Sequence, residues 1–193
     1  ILEVFQFMLM TKITKIILLL FAILISTSSI ADIQSTKLDK LFKTLKKIDN
    51  SVDAIVIEKE IWALWNNHPE MKQLTDKLEL GTELMYEGNY LYALGVFNNI
   101  IKSDPNWPEA WNKRATLFFL MKNYPRSLND IDVVLSIEPR HFGALSGRAR
   151  IFIQFKEYQK AIINLKEAKK IYPTIKNNNL IKELEKIVKG LSV

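Results

Sequence analysis

The sequence predicts an all-α chain assembled from a repeated pair of helices, and three observations carry that expectation. Landmark residues recur at intervals of 34: Pro105, Pro139 and Pro173; Gly81, Ala115 and Ala149; Tyr90, Tyr124 and Tyr158; Ala93, Ser127 and Ala161. Between them, apolar residues return at three- and four-residue steps, the period of an amphipathic helix. Gly and Pro number only six each in 193 residues, too few for the many tight turns of an all-β chain.

Taken in order, the chain opens on an apolar stretch that reads as a leader. Ile16 to Ile25 is an unbroken apolar run preceded by Lys12 and Lys15 and followed by Ser26-Thr27-Ser28-Ser29-Ile30-Ala31. A basic start, a short apolar core and small residues at Ser29 and Ala31 describe a secretory signal peptide over residues 1–31, cleaved after Ala31, with Met10 a plausible start. Retention of the segment as a membrane anchor is the alternative. A helical pair is expected next, over residues 32–73. Leu38, Leu41, Phe42, Leu45 and Ile48 share one helix face; Asp49-Asn50-Ser51 is a turn; Asp53 is placed to cap a helix over Ala54–Asn66 that carries Trp62 and Trp65. The two Trp residues require burial, and the pair is expected to cover the N-terminal end of the array.

Three repeats follow at 74–107, 108–141 and 142–175. Turns at Glu87-Gly88-Asn89, Lys122-Asn123 and Lys156-Glu157 divide each into two helices. The small residues in the Gly81 and Ala93 columns let those helices approach closely, and the closing Pro cannot continue the second helix. No such pair buries its apolar face alone, so stability must come from stacking. A last helix over residues 176–193, with Asn177-Asn178-Asn179 at its start and Gly190 as its stop, is expected to cap the C-terminal end.

The 34-residue columns resemble the tetratricopeptide repeat, which implies an α-solenoid with a concave groove. Several segments are similar to a narrower group of exported bacterial tetratricopeptide proteins best known from alphaproteobacteria: Ile61-Trp62-Ala63-Leu64-Trp65, Trp111-Asn112-Lys113-Arg114-Ala115-Thr116, and Ile137-Glu138-Pro139-Arg140-His141-Phe142-Gly143-Ala144-Leu145-Ser146-Gly147, with Leu38-Asp39-Lys40-Leu41-Phe42 a weaker match. The resemblance implies export and binding without naming a partner, and the Lys-, Ile- and Asn-rich usage departs from that group. It also implies which residues face the groove. Among them are Tyr86; Glu109, Asn112, Thr116 and Phe119; and Arg150 and Gln154, with Lys113 beside them. The alternative is that an internal helix or a neighbouring subunit fills the groove. The subclass that clamps a C-terminal carboxylate is not matched, since Leu78, Thr82, Lys113, Gly143 and Gly147 stand at its clamp positions.

Arg114 and Arg148 occupy a column that is ordinarily apolar. A guanidinium there must find an acceptor, and Asp130, Asp132 and Glu138 are the nearby carboxylates. With Arg140 they form either internal ion pairs or an anion site. Lys37, Lys40, Lys43, Lys46 and Lys47 form a polar stripe opposite Leu38 and Leu41, read as a solvated face, or as a membrane-facing one if the leader is retained.

Composition excludes several classes. Cys is absent, which removes disulfides, thiolate metal sites and Cys nucleophiles. The two His residues lie far apart in sequence without ligand spacing, and His141, at a repeat junction, reads as a packing or hydrogen-bonding residue. No phosphate loop or nucleophile elbow is present. The formal charge of +6 is too small and too dispersed to indicate nucleic acid. The sequence therefore points to a non-catalytic protein- or peptide-binding scaffold in the bacterial periplasm, without metal or cofactor. The alternative is an inner-membrane-anchored structural subunit of an envelope assembly complex.

Overall fold

A computed structural model describes residues 33–191, and the segment expected to be a signal peptide, residues 1–31, lies outside them. Those residues form helices and connecting turns, with no strand among them. The first helix, α1, covers 33–45. It is followed by α2 (Ser51–Asn66), α3 (Lys72–Tyr86), α4 (Tyr90–Ser103), α5 (Pro108–Leu120), α6 (Tyr124–Ile137), α7 (Phe142–Gln154), α8 (Tyr158–Ile171) and α9 (Asn178–Gly190). The pairs α3/α4, α5/α6 and α7/α8 each pack together and are stacked in a row, with α9 against α8.

The repeat is kept down to the backbone. Gly88, Lys122 and Lys156, spaced by 34, have φ of 84°, 58° and 60°. At each, the first helix of the pair ends in the same hydrogen-bonded turn. Asn89, Asn123 and Glu157 amides donate to Leu84, Phe118 and Phe152 carbonyls at 2.8 Å, closing the helix through a left-handed residue. Gly81 answers a steric demand, since a Cβ there would lie 2.6 Å from Cε1 of Phe97. Ala93, Ala149 and Ala161 are fully buried at the other close approaches, and Ser127 donates from Oγ to the Ala115 carbonyl at 2.7 Å. Before the closing prolines, Asp104, Glu138 and Tyr172 are extended, with φ between −142° and −125°, as the proline ring requires.

Two helix ends differ from expectation. α2 begins at Ser51, not Ala54, because Asn50 is its cap. The Asn50 side chain accepts from the Asp53 amide at 2.9 Å and donates to the Asp53 carboxylate at 2.9 Å, so Asp53 completes the cap from inside the first turn. Gly190 does not stop α9. It is the last helical residue, and the Leu191 amide still donates to Ile187 at 3.0 Å.

The N-terminal pair does not stand at the end of the row beside α3. It lies across the junctions between repeats. Leu38, Leu41, Phe42, Leu45, Ile61 and Trp65 form one core with Phe142, Leu145, Ala168 and Tyr172, far along the chain. Trp65 accepts at its carbonyl from Trp107 Nε1 (2.9 Å) at the first junction, stacks on His141 at 4.0 Å and 7° at the second, and Glu58 accepts from the Tyr172 hydroxyl (3.0 Å) at the third. The physical reason is the composition of α2. Ala54, Ile61 and Trp65 bury one face while Ile55 and Trp62 make a second apolar side, and a helix apolar on more than one side must be covered on more than one side. The outer face of the first repeat is left open, with Leu80 49% and Leu91 and Tyr92 76% exposed.

Candidate binding groove

The helices α3, α5 and α7 carry the residues expected to line the concave face, and the structure divides those residues into two sets. Asn112, Thr116, Phe119 and Arg150 line one shallow depression between α5 and α7, floored by Gly143, Ala144 and Gly147, of about 80 Å³. Thr116 and Arg150 are exposed, and Asn112 and Phe119 are half-buried. Arg150 makes no ion pair or side-chain hydrogen bond among the described residues. Tyr86 and Gln154 are exposed and lie outside this depression.

Glu109 and Lys113 are turned inward and do not face a ligand. Glu109 is fully buried and receives a proton donor from three sides. The His141 ring lies 3.1 Å away, Lys113 Nζ 3.3 Å, and Asn112 Nδ2 3.1 Å. The tautomer follows from geometry. The Ala144 amide donates to His141 Nδ1 at 3.0 Å, so the ring proton sits on Nε2 and is donated to Glu109. Burial alone would raise the Glu109 carboxyl, but the His141 hydrogen bond, the charge of Lys113 and the Asn112 amide together hold it below its ordinary value. His141 thereby caps α7 and anchors a carboxylate in one residue, while Trp65 covers its face and Trp62 its edge. His68 is held in a similar way before α3 without capping it: its Nδ1 accepts from the Met71 amide (3.0 Å) and its Nε2 reaches Asp104 (2.8 Å).

The three unusual arginines are internal ion pairs. Arg114 meets Asp130 through two nitrogens, at 2.8 and 2.7 Å, and lies 4.8 Å from the Trp111 ring centroid. Arg148 donates to Asp132 at 2.7 Å. Arg140 holds Glu138 through two nitrogens at 2.8 and 2.9 Å, reaches Asp39 of α1 at 2.6 Å, and lies 4.4 Å over Phe42. Its carboxylate partners, Glu138 foremost, raise the guanidinium further. Arg114 ties the first helix of its repeat to the second, Arg148 ties α7 back to α6 of the preceding repeat, and Arg140 ties α1 to the second junction.

The groove is also partly filled from within. A Cβ on Gly143 would lie 2.6 Å from Trp62 Cη2, so α2 sits directly on the start of α7. Sequence reasoning placed Trp62, Glu58 and Ile55 in a covering hairpin and not beside the groove. The apolar residues on several sides of α2 were the feature that could have located them. Among the described residues no set of three His, Asp or Glu side chains is placed to hold a metal ion, and no helix is long and apolar enough to cross a membrane.

Stacked 34-residue helical hairpins, closed by the same left-handed turn and the same proline, give this chain the fold of the tetratricopeptide-repeat proteins. It is 40% identical to a TPR repeat-containing protein of Rhizobium etli over 115 residues, a match covering 60% of this chain and 56% of that one. The chain thus spans about half the length of that relative. No family model matches it. Among solved structures, it is similar to the first TPR of Spaghetti bound to an HSP90 peptide, with a TM-score of 0.56 at 19% identity, covering 62% of this chain and 94% of that one. It is also similar to the type III secretion chaperone SycD of Yersinia enterocolitica in complex with a peptide of the translocator YopD, with a TM-score of 0.54 at 14% identity, covering 65% and 97%. At these identities the likeness shows the fold. Both of these neighbours hold a peptide.

Proposed function

We propose that the chain is an exported, non-catalytic scaffold that binds a protein or peptide segment in the depression between α5 and α7. The observation that carries this reading is Arg150. It is an exposed guanidinium without an internal acceptor, beside Asn112, Thr116 and Phe119, where Arg114, Arg140 and Arg148 each hold a carboxylate of the chain itself. An apolar ring, a hydroxyl, an amide and one free cation suit a short segment with an acidic or carbonyl-rich side. The solved relatives that hold peptides support the reading, and the leader over residues 1–31 supports export to the periplasm.

The test is a crosslinking pull-down with the full chain and with a Thr116→Glu/Arg150→Glu variant, whose altered residues are exposed. Partners captured by the wild type and lost in the variant are expected, and identical partner sets would sink the groove assignment. Mass spectrometry of the native N-terminus tests export. A chain starting at Asp32 supports a soluble scaffold. A chain retaining residues 10–31 supports instead an anchored envelope subunit, for which the exposed Lys37, Lys40, Lys43, Lys46 and Lys47 of the N-terminal segment would face an anionic surface.

A further inference from the structure

The covering of α7 by α2 converts the far end of the groove into a cavity of about 480 Å³, within the usual range of small-ligand sites. One side is apolar: Ile55 and Trp62 from α2, Phe142 from α7, Leu165 from α8. The other side is rich in donors without acceptors. Arg150 and Lys176 both line the cavity, and neither has an acidic partner among the described residues. Ser146 and Asn177 stand in the same wall, and Ser146 Oγ and Asn177 Nδ2 are buried without a hydrogen-bond partner. Asn177 is at the cap position of α9 but does not cap it, so the positive end of a 13-residue helix also faces this region unanswered. Among the described residues the one carboxylate in the wall, Glu58, already accepts from the Tyr172 hydroxyl at 3.0 Å and Trp62 Nε1 at 3.4 Å. Burial foremost, with the hydrogen bond to and charge of Glu58, pushes the Tyr172 phenol up to about 12, so that hydroxyl stays a donor to Glu58.

We propose that this cavity binds a small amphiphilic carboxylate, its hydrocarbon body against Trp62 and Phe142 and its head at Arg150, Lys176 and the start of α9. A cation would meet two like charges and a helix N-terminus. A neutral alkane or alcohol would leave both cations and the orphaned wall donors without acceptors. The site shares Arg150 with the proposed groove but lies on the other side of Gly143, under α2, and needs no peptide.

The test titrates the full chain with octanoate, 1-octanol and octylammonium, reading amide shifts of Ser146, Arg150 and Asn177 by NMR. Octanoate is expected to shift all three, with octanol and octylammonium weaker by on the order of tenfold. Arg150→Gln/Lys176→Gln, altered at two exposed residues that make no ion pairs, is expected to weaken octanoate by at least the same order while melting as the wild type does. Thr116→Trp, which fills the groove without adding a charge beside Arg150 and does not line the cavity, is expected to bind octanoate normally, so that loss of the peptide reading and loss of this one are separable. Equal affinity for octanol and octanoate, no shift with any probe, or unchanged octanoate binding by the double variant would overturn the proposal.

Discussion

Glu109 shows how one residue can look like a binding group and act as a structural one. Its place in the repeat puts it at the mouth of the concave face, yet His141, Lys113 and Asn112 surround it and no water reaches it. Because its folded value lies below the ordinary 4.5, it adds stability that is complete above that value and is lost as pH falls through the folded one. Glu109→Gln should therefore cost about 1–3 kcal/mol at about pH 7, and the gap to wild type should narrow as pH falls below 4.5. Urea denaturation of both proteins at several pH values checks it, and a gap independent of pH would refute the charge assignment.

At the scale of the element, the turn inside each repeat carries a conformational requirement that only one of the three copies meets with glycine. Gly88 takes φ of 84° freely, whereas Lys122 and Lys156 hold φ near 60° with a Cβ that disfavours it. Lys122→Gly and Lys156→Gly should each stabilise the protein by about 0.5–1 kcal/mol, and Gly88→Ala should destabilise it by about 1 kcal/mol. Thermal melts of the three variants measure this directly. The opposite ordering would mean that lysine contacts outside the turn outweigh the backbone. The 34-residue spacing of these positions was readable in the sequence, and so were the helix ends on either side, because a capping turn is decided by residues within one helical turn of it.

Across the whole molecule, the stacked repeats are held together by neighbours, but the N-terminal hairpin is held by residues from every junction. Glu58 to Tyr172 spans 114 positions and Asp39 to Arg140 spans 101. Trp65, stacked on His141, within reach of Phe42 and Phe142, and hydrogen-bonded at its carbonyl to Trp107, is the centre of that attachment. Trp65→Ala should cost about 3–5 kcal/mol and release α1 and α2 before the repeats unfold. Limited proteolysis is expected to cut within 46–51 first in that variant, leaving the repeat array intact. Simultaneous digestion of the whole chain would show that hairpin and array are one cooperative unit. Loss of α2 would also open the cavity beside α7, since Ile55 and Trp62 form one of its walls.

The sequence by itself determined the helix-pair repeat, its period and the small residues at its close approaches, and it offered Asp130, Asp132 and Glu138 as acceptors for Arg114 and Arg148 while leaving an anion site open. These are short-range or repeated facts: the same steric problem recurs every 34 residues, and each copy supports the reading of the others. Only the tertiary structure decided where α1 and α2 lie, that Glu109 and Lys113 face inward, and that Arg150 is left free beside a covered cavity. The hairpin has no repeat to compare with, and its apolar faces would be satisfied by any apolar surface of matching shape. Its place was chosen by aromatic contacts between residues about a hundred positions apart, and hydrophobic burial sets that a face must be covered without specifying by what.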